Sequence, residues 1–440
     1  MEELIKAIKH EMEKRRLKAD AYIERGLRTE TAANDGAIDR VLKADSFGLS
    51  LRVFKDGKMG SCFTTLSSPG GIPSLFDRAA GSAYMQGYGD FEPKKLPAIL
   101  KLKIADPSFA VITPEKKQER ALELESAVKN SSGRIKFVRD TTCVDTRTET
   151  TYINSAGADY TFAKTYSYAF TSAVASDGKS DEVADGFSGS VNWSGVDIKK
   201  LGEVTGKRAA GLLGGSPVAS GRYNIILPPQ AAVEFLQVIS PMFSGTNLRK
   251  GKTLLKDVKK GDALAPEFIS VIDDALLDGR PGGYPVDGEG TPGSQNPVIL
   301  NGVFNTFLYD IASAAHLKAC PTGNGVRQTY KSMPETGVSN FYVANGTAAR
   351  VDFEGIGKAI IVNSLMGLHM TDTVSGNFSL GANGWLFEGG ENRRAVKEIL
   401  LTGNVKDFLS SIVMAGDDLE FFMNFGSPTI AVRDIMVAGK

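Results

Sequence analysis

Two-residue turns that contain glycine are the sequence feature that most restricts how this chain can fold. Apolar and polar side chains alternate over residues 49–53, Asp56-Gly57 follows, and the chain returns over residues 59–63. Asn301-Gly302 and Gly389-Gly390 separate further apolar segments in the same way. Such pairs favour tight hairpins, because both central residues of the turn adopt positive φ angles. The pattern therefore predicts antiparallel sheets.

Helices are predicted where apolar residues recur at helical spacing, or where a capping residue precedes a proline. The predicted helices cover residues 2–16, 72–86, 113–129, 197–213, a segment after Pro228-Pro229, 308–319 and 404–415. Threonine, tyrosine and valine are frequent over residues 134–191, which predicts an antiparallel sheet. No strand–helix alternation of the doubly wound kind is visible. The predicted fold class is α+β, with mostly antiparallel sheets and flanking helices.

The length of the chain predicts two domains, with three as an alternative, because 440 residues exceed what one hydrophobic core usually organises. Residues 214–221, GGSPVASG, have the composition of a linker. We therefore predict an N-terminal α+β domain over residues 1–215 and a C-terminal domain over residues 216–440. Strands and turns dominate from residue 270 onward, so the C-terminal domain is predicted to be β-rich and barrel-like.

Charge and composition restrict the environment and the partners. The 51 basic and 51 acidic residues balance, so no electrostatic reason for nucleic-acid binding exists. No run of about 20 apolar residues predicts a membrane helix, and the charged N-terminal segment lacks the apolar run of a signal peptide. Cys62, Cys143 and Cys320 are far apart and odd in number, which does not predict a disulfide framework. These features predict a cytoplasmic protein.

The three histidines do not predict a metal site. His10-Glu11 begins like a zinc-peptidase motif, but Lys14 and Arg15 stand where the second histidine would be needed. We therefore interpret His10 as a surface residue of the first helix. His369 has no neighbouring ligand in the sequence. The sequence predicts neither a bound metal nor a cofactor.

His316 and Cys320 form the only local candidate for nucleophilic catalysis. Their spacing of four residues would place the imidazole and the thiol on one face of a helix. The favoured interpretation is a polar residue near a helix end and a small packed cysteine, because a free cysteine usually serves as a small core residue.

Three glycine-rich loops in the second half have compositions that do not form regular structure. They are DGRPGGYPVDGEG at residues 278–290, PTGNGVR at 321–327 and VSGNFSLGANGWLFEGG at 374–390. Long ordered loops of this kind are often functional, although plain strand connections remain an alternative.

These loops resemble the C-terminal domain of the TldD/PmbA family, which is also named for a modulator role towards DNA gyrase. The resemblance rests on an ordered series of short motifs rather than on any single one. The matching segments are 285–292, 298–303, 322–325, 339–340, 375–384, 416–420 and 437–439. It covers roughly residues 215–440, and the N-terminal half agrees more loosely. The resemblance implies two domains and a β-rich C-terminal domain that lines a cleft.

The departures from the peptidase branch of this family concern its zinc ligands. That branch carries H-E-x-x-x-H on the helix after the strand that opens the C-terminal domain, and a cysteine near the C-terminus. Here the corresponding strand is YNIIL, the helix begins at Pro228-Pro229 without a histidine, and residues 417–430 contain no cysteine. The resemblance therefore implies the PmbA/TldE branch, which lacks the zinc motif and pairs with a zinc-bearing TldD-like subunit.

The expected function is that of a metal-free subunit of a TldD-type peptidase that cleaves unfolded or extended peptides. Asp287, Glu289, Asn324 and Asn340 are the predicted peptide-binding residues, although the two asparagines fix turns equally well. The alternatives are a stand-alone homodimeric peptide- or protein-binding regulator without catalysis, and a peptidase with a non-zinc nucleophile.

Overall fold

The computed structural model describes residues 1–82, 93–96, 99–349, 352–353 and 355–440, and it shows an α+β chain with mostly antiparallel sheets, as predicted. The strands of the first half are β1 Lys18–Asn34, β2 Ala37–Lys55, β3 Lys58–Thr64, β4 Ile135–Asn154, β5 Asp159–Ser176 and β6 Asp181–Ser190. They form one six-stranded antiparallel sheet in the order β3-β2-β1-β4-β5-β6. The predicted Asp56-Gly57 turn joins β2 to β3, with φ angles of 51° and 70°.

Four helices accompany this sheet: α1 Glu2–Arg15, α2 Ile72–Gly81, α3 Pro114–Lys129 and α4 Ile198–Gly211. Ala19, Ala21 and Ile23 of β1 are buried in one core with α1 and α2. Because side chains alternate along a strand, the intervening positions of β1 point to the opposite face. That second face is covered by the C-terminal half of the chain, and the cleft described below lies there.

The C-terminal half contains a five-stranded barrel, as the β-rich composition predicted. Its strands are β7 Gly221–Leu227, β14 Ala359–Met366, β15 Asn377–Glu388, β16 Glu391–Asn404 and β20 Ile430–Ala438. They follow the order β16-β15-β14-β7-β20, and the pairing of β20 with β16 closes the ring. The pair β7–β14 is parallel, whereas the other barrel pairs are antiparallel.

A second sheet and several short helices pack against the barrel in one shared hydrophobic core. The remaining strands are β8 Val271–Asp274, β9 Gln295–Leu300, β10 Val303–Phe304, β11 Gly325–Val326, β12 Glu335–Thr336, β13 Phe341–Val343, β17 Ile412–Ala415, β18 Glu420–Phe422 and β19 Phe425–Ser427. The second sheet has the order β10-β9-β8-β13-β19-β18, and β17 pairs with β20 of the barrel. The helices are α5 Pro229–Ile239, α6 Gly245–Arg249, α7 Ile311–Leu317 and α8 Val405–Ser410.

Three predicted helices differ from the observed ones. The prediction over residues 404–415 is wrong in its second half, because Ile412–Ala415 pairs with Val432, Ala431 and Ile430 as a strand. The helix predicted over residues 308–319 is α7, which Asp310 caps and which Lys318 ends with a φ angle of 54°. The helix predicted over residues 72–86 ends at Gly81, and residues 83–86 lie outside the described residues.

The predicted domain boundary at residue 215 falls in the connection between α4 and β7, and the two-domain division stays a prediction. In the part of the chain that the structure describes, no helix combines the length and apolar character needed to span a lipid bilayer.

Candidate functional site: a cleft between the sheet and the barrel half

A cleft of about 380 Å³ lies between the N-terminal sheet and the loops of the C-terminal half. Its floor consists of neighbouring strands β1, β4 and β5, and the side chains that line it are Tyr22, Glu24, Thr148, Thr150, Phe162, Lys164 and Tyr166. These side chains share one face, since Glu24 is paired with Thr150 and Thr148 with Lys164. The floor is therefore a rigid, mixed aromatic and charged surface.

The roof of the cleft is built by the first two glycine-rich segments that the sequence singled out. The prediction of a third loop over residues 374–390 is wrong, because Asn377–Glu388 is strand β15 of the barrel. Pro281, Gly282 and Tyr284 come from the first loop, and Gly325 and Arg327 come from the second. The Tyr284 hydroxyl donates a 2.9 Å hydrogen bond to the Gly323 carbonyl, so the two loops hold each other in place. The expectation that these loops line a cavity fits this arrangement.

Lys164 and Glu24 are the charged groups of the floor. Lys164 Nζ lies 3.5 Å from the Pro281 carbonyl oxygen and 6.0 Å from the centre of the Tyr284 ring. Burial lowers the pKa of Lys164, while the negative charge of Glu24 acts in the opposite direction. Burial raises the pKa of Glu24, although the Tyr22 hydroxyl donates a 3.1 Å hydrogen bond to its carboxylate.

Arg327 closes one end of the cleft and is 9% exposed. Its Nε donates to the Gly288 carbonyl at 2.8 Å, and its Nη1 donates to Ser50 Oγ at 3.2 Å. The guanidinium carbon lies 5.1 Å from the centre of the Tyr22 ring, within the range of a cation–π interaction. Arg327 thus ties a roof loop to the floor strands.

A buried ion network behind the cleft joins the two halves of the chain. Arg52 is fully buried, and its Nε and Nη2 contact the two carboxylate oxygens of Asp20 at 2.9 Å and 2.5 Å. Arg52 Nη1 donates to Glu289 Oε1 at 2.9 Å. The Tyr152 hydroxyl lies 3.1 Å from Asp20 Oδ2 and 3.0 Å from the Glu289 carbonyl oxygen. Paired and hydrogen-bonded charges of this kind fix one relative position of the two surfaces.

Asp287, a predicted peptide-binding residue, lines the cleft but is only 5% exposed. Its Oδ1 accepts hydrogen bonds from the backbone N–H groups of Glu289 and Thr291, at 2.9 Å and 2.8 Å. Its Oδ2 accepts from Gly325 N at 2.8 Å. Burial, together with the charge of Glu289, raises the pKa of Asp287. The side chain therefore holds the two roof loops together.

Glu289, the second predicted residue, is 1% exposed and belongs to the ion network. Its Oε1 accepts from Arg52, and its Oε2 accepts a 2.7 Å hydrogen bond from Ile311 N at the start of α7. Burial raises the pKa of Glu289, and the Arg52 charge opposes this shift. In this arrangement Glu289 binds the N-terminal half rather than presenting its carboxylate to the cleft.

Asn324 and Asn340 are both fully buried and fix the loops from behind. Asn324 Nδ2 donates to Asp273 Oδ2 at 2.6 Å and to the Gly337 carbonyl at 3.0 Å. Asn340 Nδ2 donates to the Asp274 carbonyl at 2.8 Å, and its Oδ1 accepts from Gly282 N at 2.9 Å. Burial raises the pKa of Asp273 to about 7, against hydrogen bonds from Asn324 and Ser339 that lower it.

Sequence reasoning missed Asp20, Arg52, Lys164 and Arg327. The alternation of Ala19, Ala21 and Ile23 in KADAYIERG could have placed Asp20 on the second face of a strand. No sequence signal shows what lies opposite that face, because Arg52 and Glu289 are 237 positions apart.

A second cavity, of about 560 Å³, lies at the start of α5 in the barrel half. The resemblance places the zinc-binding histidines of the peptidase branch on this helix. Pro228 and Pro229 line the cavity together with Asp417 and Asp418. The Asp418 carboxylate already accepts hydrogen bonds from Thr429 N at 2.8 Å and Thr429 Oγ1 at 2.6 Å.

These residues do not fit a zinc ion, which prefers three or four histidine, cysteine or carboxylate ligands. Proline offers no side-chain electron pair, and both carboxylate oxygens of Asp418 already accept hydrogen bonds from Thr429. Among all residues that the structure describes, no three histidine, cysteine, aspartate or glutamate side chains come together in a metal-binding arrangement.

The other candidates from the sequence lie at the surface. His316 and Cys320 are both exposed, and α7 ends at Leu317, so the one-face helical geometry expected for this pair is wrong. The helix ends there because Lys318 adopts the left-handed conformation. His10 is exposed on α1, as predicted, and His369 is also exposed.

The fold and the cleft define a class of protein in which a long antiparallel sheet covers the loops of a barrel-containing half. Sequence signatures of the PmbA/TldA metallopeptidase family match this chain in three parts. Domain 1 matches residues 19–83, the central domain matches residues 107–213, and the C-terminal domain matches residues 220–439. The chain therefore belongs to the PmbA/TldD family.

Individual relatives are similar over nearly the whole chain. A protein named metalloprotease from Methanothermobacter thermautotrophicus is 27% identical over 430 residues, which cover 92% of each chain. The crystal structure of a proposed modulator of a DNA gyrase from Thermotoga maritima has a TM-score of 0.92 at 22% identity and covers 99% of this chain and 100% of that one. TldE from Thermococcus kodakarensis has a TM-score of 0.89 at 21% identity, with the same coverage. The two structures share the fold.

Proposed function

We propose that this chain is the metal-free subunit of a TldD-type peptidase in the cytoplasm, and that it holds unfolded or extended peptides for a zinc-bearing partner chain. The observation that carries the proposal is the cavity at the start of α5. Pro228 and Pro229 line this cavity at the start of the helix on which the resemblance places the zinc motif of the family's peptidase branch, and Asp418 is bound to Thr429. Such a chain needs a partner to supply the zinc-activated water that cleaves a peptide bond.

The cleft supports a role in peptide binding. Its volume of about 380 Å³ lies within the usual range of ligand sites. The aromatic rings of its floor suit the apolar side chains of a bound peptide. Lys164 and the roof-loop backbone provide polar partners for the peptide's own polar groups. Binding of extended peptides requires a surface of this mixed character rather than catalytic residues.

The test is to purify this chain and a TldD-like chain from the same organism, each alone and together. We expect cleavage of an unstructured fluorogenic peptide only by the mixture, and a complex whose mass equals the sum of the two chains by light scattering. Mixing with a partner whose zinc-motif histidines are replaced by alanine is the control and should abolish cleavage. Stoichiometric zinc in this chain alone would contradict the proposal.

The two alternatives give different results in the same assay. A stand-alone homodimeric regulator would bind peptide or a protein target without cleavage in any mixture. A peptidase with its own nucleophile would cleave peptide without a partner and lose that activity in Cys320→Ala. His316 and Cys320 are both exposed and do not share a helix, which does not favour the second alternative.

A further inference from the structure

The ammonium group of Lys164 lies in the cleft with little to neutralise it. Its hydrogen bond to the Pro281 carbonyl is long, at 3.5 Å, and an ammonium group has three donors. In the described part of the chain, no carboxylate lies within 4 Å of Lys164 Nζ. A partly buried cation in this situation favours an anionic partner, because burial without a partner is costly.

The neighbouring charges do not supply that partner. Arg52 is paired with Asp20 and Glu289 at 2.5 Å and 2.9 Å, and Arg327 lies next to the same group. Two arginines and two carboxylates therefore balance one another behind the cleft. Asp287, the acidic side chain of the cleft roof, has both carboxylate oxygens bound to backbone N–H groups of Glu289, Thr291 and Gly325.

Glu24 is the remaining acidic side chain on the cleft floor. It receives the Tyr22 hydroxyl hydrogen bond at 3.1 Å, and it does not form an ion pair with Lys164 within 4 Å. Burial raises the pKa of Glu24. The arrangement thus leaves the positive charge of Lys164 available to a ligand.

We propose that the cleft binds the carboxylate group of a short peptide through Lys164. The proposal rests on the proposed function, because it takes the ligand to be a peptide. An ammonium–carboxylate pair in a partly buried site forms strong, charge-assisted hydrogen bonds. The carboxylate is either the free C-terminus of the peptide or the side chain of an acidic residue, and the experiment distinguishes these two sources.

The surroundings of Lys164 favour an apolar or aromatic side chain beside that carboxylate. Phe162 lies two positions before Lys164 on the same face of β5, and Tyr284 forms the roof above it. Tyr22 lies on floor strand β1, which β4 separates from β5, and its ring faces the Arg327 guanidinium. These rings offer flat surfaces that bury apolar area when a side chain enters.

The test is isothermal titration calorimetry of the full chain with three probes. They are acetyl-Ala-Ala-Phe, its C-terminal amide, and acetyl-Ala-Glu-Phe-amide. We expect the free acid to bind at least about tenfold more tightly than the amide, since a charge-assisted hydrogen bond is lost in the amide. Tight binding of the glutamate peptide would assign the site to side-chain carboxylates, and weak binding would assign it to C-termini.

Two variants and a matched control sharpen the test. Lys164→Met should remove the preference for the acid, whereas Glu24→Gln should preserve or increase it because a negative charge is removed. Lys358→Met is the control, since Lys358 also lies over a tyrosine ring, 5.9 Å from Tyr223, but outside the cleft. Circular dichroism and thermal unfolding establish that each variant is folded.

The outcomes separate this inference from the proposed function. Equal affinity for all three probes, no binding of any probe at millimolar concentration, or an unchanged preference for the carboxylate-bearing probe in Lys164→Met would overturn the carboxylate site. A partner-dependent cleavage that persists in such a case leaves the proposed function standing. Acid-selective binding that depends on Lys164, without cleavage in the presence of the partner, supports the site and contradicts the proposed function.

Discussion

At the scale of single residues, Glu234 shows how burial changes the chemistry of a carboxyl group. It lies on α5, and burial raises its pKa to about 7. The Leu365 N–H, which donates to Glu234 Oε2 at 2.8 Å, and the charge of Arg208 lower the pKa, while Asp185 raises it. The folded protein therefore holds a proton on Glu234 over a pH range in which the unfolded chain has released it.

Replacement of Glu234 by glutamine should change the pH dependence of stability. Because the pKa of Glu234 is raised in the folded protein, its protonated side chain contributes fully to wild-type stability below about pH 4.5. This contribution is lost as the pH rises towards about 7. Glutamine keeps an acceptor for Leu365 N–H and does not ionise. We expect the unfolding free energy of Glu234→Gln, relative to that of wild type, to be about 1–3 kcal/mol greater at pH 8 than at pH 4.5. Urea unfolding of both proteins at the two pH values measures this difference.

The control for this prediction is Glu267→Gln, because Glu267 is exposed to solvent. The difference in unfolding free energy between Glu267→Gln and wild type should not vary appreciably between the two pH values. A Glu234→Gln variant that behaves like this control would show that the buried carboxylate stays ionised in the folded protein throughout the range.

At the scale of elements, the loop that contains Asp287 and Glu289 passes very close to the N-terminal sheet at Gly290. This residue has a φ angle of 85°, and a methyl group there would overlap the ring of Tyr152. Glycine tolerates both the positive φ and the close approach. The Tyr152 hydroxyl lies 3.0 Å from the Glu289 carbonyl oxygen, so a shift of the ring would also disturb the ion network.

We expect Gly290→Ala to destabilise the protein more than Gly279→Ala. Gly279 lies in the same loop with a φ angle of 70°, and a methyl group there meets no atom within 4 Å. Both substitutions strain the backbone, but only the one at Gly290 overpacks a core. The additional loss of unfolding free energy should be about 1–3 kcal/mol, as measured by urea unfolding. Equal losses would show that the loop moves away from Tyr152 at little cost.

Elements governed by local chemistry could be predicted from the sequence. The Asp56-Gly57, Asn301-Gly302 and Gly389-Gly390 turns all have positive φ angles at both residues, as hairpin geometry requires. Thr113 accepts a hydrogen bond from Lys116 N and caps α3, as predicted. The Asp35-Gly36 turn between β1 and β2 carried the same signal and was missed. These features depend on neighbouring residues, so one local segment is enough to infer them.

Elements that depend on distant partners could not be predicted. The apolar segment Ile412–Ala415 reads equally well as the end of a helix, and only its pairing with β20 makes it a strand. The parallel pair β7–β14 joins segments more than 130 positions apart, which no hairpin signal reports. At the candidate site, the sequence indicated the glycine-rich loops of the roof, but not the strands that form the floor of the cleft. Lys164 and Glu24 belong to strands of ordinary composition in the other half of the chain.

At the scale of the whole molecule, Arg52 couples the two halves. It is fully buried and bonded to Asp20 of the N-terminal sheet and Glu289 of the barrel half. Arg52→Met would leave two buried carboxylates without their cation, which typically costs about 3–5 kcal/mol. Arg25→Gln is the matched control, because Arg25 pairs with Asp45 at 3.4 Å in an exposed ion pair worth about 0–1 kcal/mol.

The same substitution should also change the cooperativity of unfolding. The chain has two tryptophans, so Trp385→Phe and Trp193→Phe backgrounds each leave one fluorescent reporter. Trp193 reports the first half, and Trp385, whose Nε1 donates to the Gly211 carbonyl of α4 at 3.1 Å, reports the second half and its contact with the first. With Arg52 intact, we expect the two reporters to unfold at one urea concentration, because the network ties the halves together. In Arg52→Met we expect the transitions to separate, while in Arg25→Gln they should coincide. Coincident transitions in Arg52→Met would show that packing alone couples the two halves, and that the ion network only adds stability.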